Sequence, residues 1–238
     1  MIHGVLVLDK PKGMTSAQVV EKIKRKFNFQ KVGHGGTLDP LATGVLPICI
    51  NQATKISSWF LGADKVYEGV FLLGVETDTQ DILGKVIATH PVRVTEQEIQ
   101  AAMEKFKGAI QQIPPMYSAI KKGGKPLYRY ARANQEVERL PRQIHIFDFQ
   151  FLGKSGHEVQ FRVHCSKGTY VRTLCADVGT ELKSGACVKE LKRVRTGNCE
   201  LQHAIGLEAL NSQNLTGTPH WKTIAEIRSL CYKADNLK

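Results

Sequence analysis

Asp39 is the one acid in HGGTLDPLATGVLP, residues 34–47, a stretch otherwise marked by glycines and prolines. Two readings of it compete. An Asp directly before a Pro commonly initiates a turn, and Gly33, Gly35 and Gly36 suit a tight surface loop. Alternatively, glycines without Cβ atoms let a substrate backbone come close while the carboxylate points into a cleft as a reactive group. The apolar run VLPICI that follows roots the loop in a core.

Further candidates surround that acid in type if not in sequence. In KGTYVRTL, residues 167–174, Tyr170 and Arg172 stand two apart, so in an extended segment they point the same way. Such an Arg either pairs with a buried carboxylate, lowering its pKa and fixing its orientation, or lies on the surface beside a core Tyr. Tyr67 in KVYEG is either ordinary strand packing or a face on which a base can stack. His34 is likewise a wedge for RNA or a loop histidine. Phosphate loops and dinucleotide fingerprints are excluded: nothing matches GxxxxGK[ST], and after Gly33 and Gly35 the third glycine position is Leu38.

The elements that must position these residues follow from periodicity. GVLVLD, residues 4–9, reads as a strand that breaks at Pro11–Gly13, after which Thr15 or Ser16 caps a helix with Val19, Ile23 and Phe27 on one face. Residues 66–74 are rich in strand formers. Residues 95–107 read as a helix, with Thr95 and Glu98 as a capping box and Ile99, Met103 and Phe106 on its apolar face. FDFQF (147–151) and EVQFRVHC (158–165) form a hairpin, with Val159, Phe161, Val163 and Cys165 turned inward. Leu174, Val178 and Leu182 then predict a helix ended by Gly185 as a left-handed cap, and Thr218-Pro219 starts a short helix through about Tyr232. Hairpins and helices in mixed order, with no repeating βα unit, predict an α+β fold with a mostly antiparallel sheet.

Composition sets the class. At 238 residues, 42% hydrophobic and 23% charged, the chain is an ordinary globular sequence. No run approaches the roughly 18 apolar residues that span a bilayer, and the N-terminal run is too short for a signal peptide. A cytoplasmic protein with no membrane partner is expected. The six cysteines show neither a CxxC pair nor zinc-finger spacing, so no metal and no disulfide framework is expected, with Cys165 and Cys175 as buried free thiols. The net charge of +11 suggests a polyanionic partner. Its distribution is segmental. Residues 117–145 hold seven bases (Lys121, Lys122, Lys125, Arg129, Arg132, Arg139 and Arg142) against two acids, and residues 183–195 hold five against one. That pattern suits a surface tracking a nucleic-acid backbone.

Taken together and in this order, the motifs resemble the TruB family of tRNA pseudouridine-55 synthases. The matching text is VLVLDKPKGMTS, VGHGGTLDPLATGVLPICINQATK, DKVYEG, LGVETDTQD, QIPPMYSAIKKGGKPLYRYAR and CSKGTYVRTLCADVG, from about residue 3 to about residue 200. The resemblance implies a pseudouridine-synthase-like catalytic domain, with a mostly antiparallel mixed central sheet flanked by helices, over residues 1–205. It implies isomerisation of uridine-55 in the T loop of tRNA, by base flipping, with Asp39 essential and no cofactor. Arg172 matches the arginine that pairs with that aspartate, and Tyr67 the tyrosine that stacks on the flipped uracil. Tyr170 matches a second pocket aromatic, Lys55 a residue near the active site, and His34 the histidine that enters the T loop. Gly35 and Gly36 would let the RNA backbone approach. A basic insertion over about 115–143, including Lys121 and Lys122, would close on the T stem-loop. A monomer is expected. Longer relatives carry a C-terminal RNA-binding domain, and residues 206–238 leave room only for a short tail. The alternative is a non-catalytic tRNA-binding and folding chaperone, against which the joint presence of Asp39, Tyr67 and Arg172 speaks.

Overall fold

The computed structural model describes residues 2–235, with side chains to residue 229. The chain opens with β1 (Gly4–Lys10), α1 (Ser16–Lys26), β2 (Val32–His34) and β3 (Thr43–Ile50). A 3-10 turn over Asn51–Ile56 leads to α2 (Ser57–Gly62) and β4 (Lys65–Leu73). The middle holds β5 (Val75–Thr77), β6 (Val86–Thr89), α3 (Glu96–Glu104), β7 (Gly108–Gln112), β8 (Lys121–Lys122), β9 (Lys125–Pro126) and α4 (Leu127–Ala131). Next come β10 (Arg142–Ser155), β11 (Glu158–Cys165), α5 (Val171–Glu181) and β12 (Ala186–Thr196). The last elements are β13 (Cys199–Glu200), β14 (Ile205–Gly206), β15 (Trp221–Lys222) and α6 (Ile224–Asp235). Two compact units result. One joins the chain up to Tyr67 with the chain from Leu191 onward; the other is Glu68–Glu190. Strands β4 and β12 contribute residues to both.

In the first unit the strand order is β14-β1-β3-β12, with β2 on β3, β13 on β12 and β15 on β1. GVLVLDK and TGVLPICI read as almost unbroken apolar runs because both faces of β1 and β3 are buried. They pair antiparallel from Gly4↔Ile50 to Lys10↔Gly44, and β12 runs parallel to β3 at Lys192↔Thr43 and Arg193↔Gly44. Val5, Val7, Val45, Cys49 and Phe60 form a core that also takes in Ile227 from α6. Thr15, not Ser16, caps α1, in a capping box with Gln18 that satisfies two orphan N–H groups.

In the second unit β4, β11, β10 and β7 lie in that order, with β10 antiparallel to both β11 and β7. Helix α3 begins at the expected Thr95–Glu98 capping box and packs on β10 and α5. Val159, Phe161, Val163 and Cys165 are all buried, as their alternation requires. The α+β class and the mixed, mostly antiparallel pairing agree with the sequence expectation.

Several boundaries differ, each for a local reason. Helix α3 stops at Glu104, short of residue 107. Strand β10 starts at Arg142 and runs to Ser155, well beyond residues 147–151. A bulge between Ile146 and Asp148 breaks its alternation, so Phe147 turns outward, 50% exposed, between the rings of His145 and His164. Arg172 is not in an extended segment but in the first turn of α5, with Tyr170 as its N-cap residue. The chain leaves α5 at Lys183, which already has positive φ, two residues before Gly185. The last helix begins not at Thr218-Pro219 but after Thr223, whose N–H and hydroxyl donate to the Glu226 carboxylate while its hydroxyl accepts from the Glu226 N–H.

Cys49, Cys165, Cys175, Cys187 and Cys199 are buried cysteines; Cys231 lies outside the residues whose side chains are described. Burial pushes the Cys49 thiol up to about 12 and the Cys187 thiol up to about 11, which makes both poor nucleophiles. No described helix is long and apolar enough to cross a membrane.

Candidate active site

The loop between β2 and β3 is held by its backbone at nearly every residue. The Gly35 N–H donates to the Pro47 carbonyl at 2.8 Å. The Ser16 hydroxyl accepts from the Leu38 N–H at 2.9 Å and lies 3.1 Å from the Leu38 carbonyl, to which it donates. Gly13 N–H donates to the Pro40 carbonyl, and Ala42 N–H to the Asp39 carbonyl, closing a turn around the half-buried Asp39. Gly35 is required from inside the fold: a Cβ there would sit 2.4 Å from Cβ of Phe60 in α2. At Gly44, φ is +99° and a Cβ would meet the Arg193 carbonyl oxygen at 2.2 Å, so β12 can approach only a glycine. A carboxylate on so constrained a loop has a fixed position, which a nucleophile or a base needs.

One buried cation holds this loop, and a second lies within electrostatic reach of Asp39. The Arg193 guanidinium donates to the carbonyls of Val45, Thr37 and Gly36. Lys10, fully buried at the end of β1, donates to the carbonyls of Pro11 and Met14 at 2.8 and 2.6 Å. Burial pulls the Lys10 amine down to about 8; the Asp39 carboxylate opposes that and the Arg193 charge adds to it. The Asp39 carboxylate therefore lies within electrostatic reach of the Lys10 amine. His34 on β2 accepts from the Gly36 N–H through Nδ1 at 3.3 Å, and burial, followed by the Arg193 charge, holds its pKa below the usual imidazole value. A neutral ring at physiological pH suits stacking better than binding a phosphate.

In the second unit the start of α5 is pinned from two directions. Gln112, at the end of β7 and 2% exposed, accepts from the Tyr170 N–H at 2.9 Å and donates to the Tyr170 carbonyl at 3.2 Å. Tyr170 has no side-chain cap, so this amide fixes the helix entry. Arg172 is buried and donates to the Thr79 and Tyr117 carbonyls, with the Asp81 carboxylate 3.9 Å from its Nε. The next residue, Thr173, donates to Gln80 at 2.7 Å. One turn of helix thus holds the 79–81 loop and the root of the basic insertion.

The remaining candidates are spread out. Tyr67 lies on β4 at 8% exposure, with Val66 also buried. Lys55 stands exposed on the 3-10 turn. Lys121 and Lys122 are exposed on the β8–β9 hairpin, where the Lys122 amine donates to the Glu138 carbonyl at 3.0 Å. The structure thus groups His34, Gly35, Gly36 and Asp39 in one unit, and Tyr170 and Arg172 in the other.

Lys10, Arg193, Gln112 and Asp81 escaped the sequence reading. Arg193 was counted among the basic surface residues of 183–195, yet alternation along β12 puts it on the buried face with Leu191. Lys10 could have been found as the one cation ending a strand that is apolar but for Asp9. Gln112 and Asp81 left no signal, because their partners lie 58 and 91 residues away in sequence.

The family model "TruB family pseudouridylate synthase (N terminal domain)" matches residues 24–171, and "tRNA pseudouridylate synthase B C-terminal domain" matches residues 172–227. A protein of Aromatoleum aromaticum named tRNA pseudouridine synthase B is 50% identical over 212 residues, which cover 89% of this chain and 69% of that one. One of the same name from Stutzerimonas stutzeri is 47% identical over 209 residues, covering 88% and 68%. Among solved structures, that of a Cbf5-Nop10-Gar1 complex is similar at a TM-score of 0.69 and 35% identity, over 87% of this chain and 53% of that chain. A structure of an H/ACA RNP bound to a substrate RNA containing 2'-deoxyuridine gives 0.66 and 31%, over 87% and 52%. The chain spans about half the length of those two solved chains.

Proposed function

Because this chain belongs to the TruB family of pseudouridylate synthases, whose members are isomerases, we propose that it converts uridine-55 in the T loop of tRNA to pseudouridine. The observation that carries the reading is the loop of Asp39: a carboxylate whose loop is fixed through the backbone on both sides by hydrogen bonds and the Arg193 fork, with the buried Lys10 charge in reach.

The reaction breaks the N-glycosidic bond, turns the detached uracil and rejoins it through C5. Asp39 either attacks C1′ of the ribose or removes a C2′ proton; both routes need it ionised and held in place. Arg172, at the start of α5, is assigned the role of orienting that carboxylate. Taking the uridine out of its stack costs a few kcal/mol. Tyr67, Tyr170 and the neutral His34 offset this by stacking, at about 1–3 kcal/mol per base. Tyr67 then takes the C5 proton. Gly36 leaves room for the RNA backbone, whereas the bare face of Gly35 is taken up inside the fold by Phe60; Lys55 lies beside the substrate, and Lys121 and Lys122 meet phosphates of the T stem-loop. No cofactor takes part, and the protein acts as a cytoplasmic monomer.

Release of tritium from [5-³H]-uridine in a T stem-loop RNA tests the reading, because isomerisation must exchange the C5 hydrogen. Wild type should release it and Asp39→Asn should not, with RNA affinity kept within a few fold. Turnover by Asp39→Asn would remove that residue from the chemistry. Silence from both proteins with binding intact would favour the chaperone reading.

A further inference from the structure

Arg193 is 1% exposed and always charged. Burying a guanidinium is expensive, and an apolar residue of similar size would fill the same space at lower cost. Its contacts show what the charge holds. Nε donates to the Val45 carbonyl at 2.8 Å, Nη1 to Thr37 at 3.3 Å and Nη2 to Gly36 at 3.1 Å. Those carbonyls come from both arms of the loop, two immediately before Leu38-Asp39 and one after Gly44. One rigid planar group therefore joins the descending and ascending arms. Its own backbone lies against the bare α-carbon of Gly44, so the guanidinium cannot drift from the loop without moving β12.

We propose that Arg193 is a positioning residue for Asp39: its fork sets the separation of the two loop arms and thereby the place of the carboxylate. The inference rests on the reading of Asp39 as the reacting group. A lysine cannot substitute, because its ammonium is a single point charge without the planar fork that meets three carbonyls at once. Arg193→Lys thus keeps the charge and removes the geometry.

The test is single-turnover tritium release at saturating RNA, alongside RNA binding and thermal melting, for wild type, Arg193→Lys, Arg193→Gln and Asp39→Asn. Arg193→Lys should melt cooperatively, bind RNA within about threefold of wild type, and react about 10²-fold more slowly, the scale expected of a small misplacement. A wild-type rate in this variant, or a loss that falls on binding instead of rate, would overturn the proposal. Should Arg193→Lys fail to fold, the same criteria apply to Arg193→Gln; if neither folds, Arg193 is a brace for stability and the proposal fails. Asp39→Asn separates the two ideas. Its continued turnover would sink the reading of Asp39 itself, whereas a dead Asp39→Asn beside a fast Arg193→Lys would sink only the positioning role.

Discussion

Lys121, Lys122, Arg129 and Arg132 stand in water on the β8–β9 hairpin and around α4, while Arg193 on β12 and Lys10 on β1 are shut away from it. The basic stretches 117–145 and 183–195 look alike in composition, and only the company each cation keeps tells them apart. In the exposed stretch the neighbours are mixed: Lys125 lies 4.5 Å from the Tyr130 ring centre, Arg132 lies 5.5 Å from that of Tyr128, Arg139 lies 3.4 Å from the Glu136 carboxylate, and Lys122 and Arg139 each also reach one carbonyl. Around Asp39 the partners are main-chain carbonyls. Solvated cations are available to an incoming polyanion and contribute little to the fold. Buried ones are committed to the fold, Arg193 to the Asp39 loop and Lys10 to the turn after β1. A net charge of +11 therefore overstates the surface available to RNA.

Lys10 offers the largest contrast. With burial holding its pKa near 8, below the 10.5 of an exposed amine, the folded protein sheds this proton earlier than the unfolded chain. Below pH 8 both states hold the proton and the penalty of burying the charge is present in full. Between pH 8 and 10.5 the unfolded chain binds more protons, so stability rises with pH through that window. The rise is at most about 3 kcal/mol, and smaller where water reaches the amine. Urea denaturation of wild type and Lys10→Met across this range should show the wild type gaining on the variant. Parallel curves would return Lys10 to the class of solvated cations.

How much of this was legible follows the same division. Strand β1, the apolar run of β3, the capping box at Thr95 and the alternation of β11 could be read because each is a local pattern, whereas the choice between Thr15 and Ser16 as the cap of α1 stayed open. Asp39 stood out because its loop carries unusual residues in a short span. The bulge at Phe147 could not be read, since a strand's alternation gives no notice of where it will break. Nor could the clamp of Gln112 on Tyr170, where an unremarkable amide meets a backbone 58 residues away. Composition misled at Arg193, because counting charges ignores which face of a strand they occupy.

The exposed cations predict a different readout. Lys121→Ala with Lys122→Ala should leave stability within about 0.5 kcal/mol. If both lysines meet phosphates, the slope of log affinity for a T stem-loop against log salt should flatten by about 1.5 to 2, close to one unit per lost contact. Lys10→Met should leave that slope alone. A steep slope in the double variant would show that RNA does not touch the hairpin tip, and a flattened slope in Lys10→Met would erase the contrast between buried and solvated cations.

Lys125 lies between the two classes and gives the smallest effect. Its ammonium stands over the Tyr130 ring, and both side chains are half exposed. An exposed cation–π pair is worth about 0.5–1 kcal/mol. The Tyr130 hydroxyl also donates to the Lys122 carbonyl at 3.1 Å, so the ring ties α4 to the hairpin. Tyr130→Leu alone would remove both contacts, and only a double-mutant cycle with Lys125→Met isolates the ring–cation component. Denaturation at low salt should give a coupling near 0.5 kcal/mol that shrinks as salt screens the charge. A coupling of zero would mean that water, not the ring, holds this ammonium, and would place Lys125 with Lys121. A coupling insensitive to salt would mean the pair is desolvated, and would draw Lys125 towards the buried class of Lys10 and Arg193.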